Sequence, residues 1–219
     1  MNQATYAVVI FDFDGTLVDS TGAIARSIQA AAGDLGLAVP SYERASHVIG
    51  MGLKDALRLA VPDLEAERMP AFIERYRANF AALGRCEVPF GGIEALLDAI
   101  ARSPAWLAIA TAKSRPGLDR ALGALGWSGR FVTTRTADEG HPKPHPWMIQ
   151  DICAELGIAP SQALMIGDTT HDLGMARAAG AAAIGVTYGA QPRSTLSSVP
   201  AMALVDTVDA LAQHVVALV

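Results

Sequence analysis

Ala7-Val8-Val9-Ile10-Phe11-Asp12-Phe13-Asp14-Gly15-Thr16 is the stretch whose reading decides the fold. A β-branched apolar run that ends in two carboxylates predicts a buried strand delivering acid groups to a sheet edge. In open α/β sheets the carboxyl edge is where ligands bind. Asp12 and Asp14 are two apart, so a regular strand points both to one side and Phe13 to the other. Gly15 permits a sharp turn and lets a ligand approach the backbone. Two unit charges 4 Å apart at an effective dielectric near 20 repel by roughly 4 kcal/mol. A bound cation is the simplest compensation. A calcium loop of the EF-hand kind is excluded, because its twelfth position needs Glu and here holds Ala23.

Further along the chain the same pattern returns. Trp106-Leu107-Ala108-Ile109-Ala110 ends in Thr111, and Ala163-Leu164-Met165-Ile166-Gly167 ends in Asp168, with Asp172 four residues on. Phe131-Val132-Thr133-Thr134 precedes a loop that carries Lys143 between Pro142 and Pro144. Helical stretches lie between these runs. A parallel sheet places all the strand ends on one edge. The groups gathered there are four carboxylates, one hydroxyl and one ammonium.

These residues resemble the haloacid dehalogenase superfamily of phosphotransferases. The resemblance is carried by Asp12-Phe13-Asp14-Gly15-Thr16, Thr111, Lys143-Pro144 and Gly167-Asp168-Thr169-Thr170-His171-Asp172, in that order and across most of the chain. The stretch from Gly167 to Val186 looks especially like the phosphoglycolate phosphatase branch. Ala112 stands where many relatives have Asn, so any contact there comes from backbone. The fold implied is α/β: a Rossmann-like parallel sheet core, discontinuous over 1–17 and 86–219, with an inserted helical cap over 18–85. The periodicity agrees. From Ser20 to about Leu83 there is no convincing strand signal, while Ile24, Ile28 and Ala31, then Phe72, Ile73, Tyr76, Phe80 and Leu83, keep helical spacing.

Chemistry assigns roles within that resemblance. Asp12 is expected to be the nucleophile, since a carboxylate can form an aspartyl phosphate and divide hydrolysis into two easier steps. Asp14 is expected to protonate the leaving alkoxide and then activate water. Thr111 and Lys143 are expected to hold the transferring phosphoryl oxygens. Asp12, Asp14, Asp168 and Asp172 are the expected metal ligands, and their oxygens favour the hard ion Mg²⁺ over zinc. Asp172 either completes that site or orients Lys143 or a metal-bound water, and the sequence leaves both open. Gly15, Thr16, the backbone at Ala112, and Lys54 are expected to meet the substrate. Lys54 follows Gly50-Met51-Gly52, a glycine turn opening a cap helix. The expected reaction is hydrolysis of a small phosphate monoester, phosphoglycolate or similar. A sugar phosphomutase and a non-catalytic phosphate-binding domain are the alternatives. The aspartate at position 14 argues against dehalogenase and phosphonate chemistry.

Composition narrows the classes. The chain has 219 residues, 51% of them hydrophobic, and a formal net charge of −5. That content supports a packed core, and the acidic balance argues against a nucleic-acid partner. No apolar run reaches the roughly 20 residues of a membrane span. The N-terminus has neither a basic region nor a long apolar stretch, so no secretory signal is expected. Cys86 and Cys153 form no CxxC pair, and two free thiols in a cytoplasmic, monomeric or homodimeric enzyme is the expectation. His141 and His145 are four apart among prolines, which disfavours a helical metal pair. Trp106, Trp127 and Trp147 are read as packing residues, and Gln191 to Pro200 as a surface loop. No GxxxxGKS/T sequence is present, which disfavours a P-loop enzyme.

Overall fold

The computed structural model describes residues 6–84 and 87–219. Strand β1 (Val8–Phe11) is buried along its whole length. It is followed by β2 (Val18–Asp19) and four helices, α1 (Thr21–Asp34), α2 (Tyr42–His47), α3 (Leu53–Ala60) and α4 (Met69–Ala82). Then come β3 (Val88–Pro89), α5 (Ile93–Ala101), β4 (Trp106–Ala110), α6 (Arg115–Leu125), β5 (Thr133–Arg135) and α7 (Trp147–Leu156). The chain ends with β6 (Ala163–Gly167), α8 (Thr170–Ala179), β7 (Ala182–Val186), α9 (Arg193–Leu196), β8 (Ala203–Val205) and α10 (Val208–Val216).

Six strands make one parallel sheet in the order β5-β4-β1-β6-β7-β8. Strand alternation divides its side chains between two apolar layers. Val9, Phe11, Leu107, Ile109, Leu164 and Ile166 pack with residues of α5, α6 and α10. Val8, Ile10, Ala108, Ala110 and Met165 pack with residues of α7 and α8. Helices therefore cover both faces, as the continuous apolar strands demand. From β1 the chain winds outward through β4 and β5, then crosses back to β6 on the other side of β1. The winding reverses there, and such a reversal opens a crevice at the carboxyl ends of the strands.

The helices α1 to α4 bury an apolar cluster of their own, built on Ile28, Leu57, Met69 and Phe72 among others. Where the chain enters and leaves this group, β2 and β3 pair antiparallel, Val18 opposite Pro89. The reading of the sequence found no strand at either place, because two residues carry no period.

Strand β5 begins at Thr133 and not at Phe131; Phe131 is buried in the core and Val132 is exposed. Trp127 is buried and Trp147 packs on the second layer, but Trp106 is 42% exposed at the start of β4. The stretch from Gln191 to Pro200 includes the single turn α9, with Gln191 and Leu196 both buried. Cys153 is a buried free thiol; Cys86 lies outside the described residues. No helix among the described residues is long and apolar enough to cross a membrane.

Candidate active site

Asp12 is the first residue beyond β1, and its N–H still donates to the Ile166 carbonyl at 2.9 Å. The chain then turns. Gly15 has φ +81°, and its N–H donates to the Val18 carbonyl at 2.9 Å. A Cβ at Gly15 would lie 2.2 Å from Asp168 Oδ2, so the glycine is what lets the loop after β1 close against the end of β6. Gly189 is constrained alike, since a Cβ there would meet Asp168 Oδ2 at 2.3 Å.

Asp168 stands at the end of β6, wholly buried. One oxygen accepts from the Thr16 hydroxyl at 3.0 Å and the other from the Ala190 N–H at 2.7 Å. Thr16, expected to meet substrate, thus has its hydroxyl engaged in holding Asp168. Asp172 lies in the first turn of α8, whose N-cap is Thr169. It accepts from the Thr169 N–H (3.0 Å) and hydroxyl (2.7 Å) and from Lys143 Nζ at 2.6 Å. Lys143 is buried between Asp172 and Asp12, the latter 2.8 Å away. Asp172 therefore orients Lys143 directly, which is one of the two roles left open by the sequence.

The expected cluster of four carboxylates is a cluster of three. Among the described residues, Asp12, Asp168 and Asp172 each offer an oxygen within 4.8 Å of the others. Asp14 does not belong to it. Its carboxylate accepts from the Ser20 hydroxyl at 2.6 Å and pairs with Lys113 Nζ at 3.0 Å. The strand argument failed here because β1 ends at Phe11, so the two-residue alternation no longer holds at Asp12 and Asp14.

Charge explains how a cation fits the cluster. Three buried carboxylates face one ammonium, leaving two negative charges, and all the available donors are hard oxygens. Burial pushes the Asp12 carboxyl up to about 7, with Lys143 opposing and Asp172 and Asp14 reinforcing the rise. Asp168 is raised well above the usual carboxylate range by burial first, then by Asp12 and Asp172. Burial pulls Lys143 down, but Asp12 and Asp172 outweigh it and hold the ammonium charged. Asp12 Oδ1 is buried 2.8 Å from Lys143 Nζ, with no other partner among the described residues. These residues fit a divalent cation, which would offset the two remaining charges.

Thr111, at the end of β4, is buried; its N–H donates to the Arg135 carbonyl at 3.0 Å. Asp12, Asp14, Thr111, Ala112 and Lys54 all line one cavity of about 690 Å³ between the sheet edge and α1 to α4. Lys54 sits in the first turn of α3, after the N-cap Gly52, and is exposed. The rings of His141 and His145 stack on each other at 4.3 Å.

Sequence reasoning missed Lys113. Its ammonium pairs with Asp14 and, at 2.7 Å, with Glu87, and lies over the rings of Phe13 and Phe80. A lysine two residues past a strand-end threonine was the available signal. Thr169 stood within a quoted motif but was given no role, although Thr-x-x-Asp ahead of an apolar run is a capping pattern.

Known proteins agree with this geometry. The family model of haloacid dehalogenase-like hydrolases matches residues 9–186. "Probable phosphatase IndB" of Dickeya dadantii is 36% identical over 206 residues, covering 91% of this chain and 89% of its own. A phosphoglycolate phosphatase of Xylella fastidiosa is 31% identical over 186 residues, covering 83% and 80%. A crystal structure described as "a predicted phosphoglycolate phosphatase" from Haemophilus somnus superposes with TM-score 0.88 at 25% identity, over 97% of this chain and 99% of that one. With Asp12, Lys143 and Asp168 meeting at the reversal of a parallel sheet and the match spanning most of the chain, the protein belongs to the haloacid dehalogenase-like hydrolases, as an enzyme of their phosphatase group.

Proposed function

We propose that the protein is an Mg²⁺-dependent phosphatase that hydrolyses a small-molecule phosphate monoester through a phosphoryl group carried on Asp12. The observation that carries this reading is the position of Asp12. It is buried at the strand end, 2.8 Å from Lys143, and lines the cavity that also receives Asp14 and Thr111. An Asp12 oxygen attacks phosphorus while the ester oxygen leaves, giving an acyl phosphate on Asp12 and an alcohol. Asp14 supplies the proton that the departing alkoxide needs, then takes one from the water that attacks phosphorus. The bond from phosphorus to the Asp12 oxygen breaks at that step, and inorganic phosphate leaves the free carboxylate. Lys143 and the Thr111 hydroxyl hold phosphoryl oxygens as charge shifts between them. Asp12, Asp168 and Asp172 would hold the metal, whose positive charge lets two anions, carboxylate and phosphate, approach each other. Helices α1 to α4 act as a cap that covers the ester and excludes water, the core being 1–17 and 86–219 and the cap 18–85. Phosphoglycolate, which names several relatives, is the first natural ester to try.

Turnover of p-nitrophenyl phosphate with Mg²⁺, with EDTA, and by Asp12→Asn tests the reading. Hydrolysis that needs Mg²⁺ and vanishes in Asp12→Asn supports it. Full activity after exhaustive chelation, or in Asp12→Asn, would contradict it.

A further inference from the structure

The cavity above Asp12 has a chemistry that the residues of the reaction do not account for. At about 690 Å³ it lies within the roughly 300–1,000 Å³ of sites that take drug-sized ligands. Its wall on the helical side is apolar: Ile24, Met51, Leu53, Ile73 and Tyr76 are half-buried and line it. Lys54, Arg77 and Arg120 also line it, but all three are exposed. Among the described residues lining it, the largely buried cation is Lys113, and Asp14 and Glu87 already flank its ammonium at 3.0 and 2.7 Å. A two-carbon acid would fill little of this volume and would leave the apolar wall of Ile24, Met51, Leu53 and Ile73 uncovered. An apolar body would displace water from the same walls at a gain that grows with its area.

We infer that this cavity binds the leaving alcohol of the ester, and that the alcohol carries a bulky apolar body, alkyl or aryl, in place of a short charged chain. This rests on the phosphatase reading. Asp12 and Asp14 line the same cavity as Ile73 and Leu53, so an ester whose phosphorus meets Asp12 would extend its organic group along those walls.

Straight-chain alkyl phosphates from ethyl to octyl, assayed with Mg²⁺ beside phosphoglycolate and p-nitrophenyl phosphate, test the inference. Leaving-group basicity is nearly constant along the alkyl series while apolar area grows. kcat/KM is expected to climb by about fourfold per methylene over the first additions, with phosphoglycolate no better than ethyl phosphate. Ile73→Lys, which puts a charge on the apolar wall, is expected to lower the octyl-to-ethyl ratio by about tenfold or more. A flat series, or phosphoglycolate preferred over octyl phosphate, would mean that the helices close down on a small substrate. That result overturns the inference and leaves the phosphatase reading standing. A rising series untouched by Ile73→Lys would place the chain outside this cavity and overturn it too. No turnover of any ester, p-nitrophenyl phosphate included, would remove the phosphatase reading and the inference with it.

Discussion

An ammonium held between two carboxylates fixes the direction of both, and this site uses the device twice. Lys143 bridges Asp12 and Asp172, and Lys113 bridges Asp14 and Glu87. The first bridge was half legible in the sequence, since Asp12, Lys143 and Asp172 each sit in a motif. The second was not. Its members lie far apart in sequence and meet only after the chain has made α1 to α4 and returned at Glu87. Burial pulls the Lys113 ammonium down, but Asp14 and Glu87 outweigh it and keep the charge. Replacing Lys113 by Met leaves Asp14 with the Ser20 hydroxyl as its partner. If Asp14 is the proton donor, that change misplaces it without touching the nucleophile. Lys113→Met is then expected to slow alkyl esters by about tenfold or more, within the range that general acid catalysis supplies. Its effect on p-nitrophenyl phosphate, whose anion leaves unaided, should be much smaller. Comparing kcat/KM for the two ester types checks this, and equal losses for both would contradict it.

At the scale of elements, legibility follows burial. Strands β1, β4 and β6 were readable because helices cover both faces, so nearly every residue had to be apolar. Strands β2, β3 and β8 were not, since two or three residues of mixed burial show no period. The N-terminus of α8 lies between these cases. Thr169 accepts from the Asp172 N–H and donates to the Asp172 carboxylate, so one residue both caps the helix and aims the group that holds Lys143. It also touches the other part of the molecule. Gly50, at φ +91°, packs so closely that a Cβ there would lie 2.8 Å from Thr169 Cγ2. Thr169→Ala is expected to cost about 1 kcal/mol from the lost cap, which in a chain of this size lowers Tm by roughly 2–4 °C. Activity should fall as well, because Asp172 loses a donor at 2.7 Å. Thermal unfolding together with turnover checks both. A variant with unchanged Tm and unchanged activity would show that the cap is dispensable.

The molecule as a whole gathers residues from distant stretches of the chain onto one sheet edge, and the cost is a buried charge imbalance. In metal-free protein the Asp12 carboxyl, raised to about 7 by burial, binds a proton more tightly folded than unfolded. Its contribution to stability is therefore present below the ordinary carboxylate pKa near 3.8 and is lost as pH rises toward 7. A divalent cation reverses that loss by favouring the carboxylate. The difference in Tm between Mg²⁺-loaded and chelated protein should thus widen from pH 4 to pH 7, and saturating metal at a hundred times its Kd stabilises by about 2.7 kcal/mol. A difference that stays constant or shrinks with pH would show that the cation binds elsewhere. The central proposed step is transfer of the phosphoryl group to Asp12. Asp14→Asn keeps the nucleophile and slows the attack of water, so it should accumulate the covalent intermediate. The direct test is mass spectrometry of acid-quenched Asp14→Asn protein during turnover of p-nitrophenyl phosphate. A phosphoryl adduct on the peptide at Asp12, absent from Asp12→Asn, is the expected result. Release of p-nitrophenol with no adduct at Asp12, or an adduct at another residue, would contradict the account.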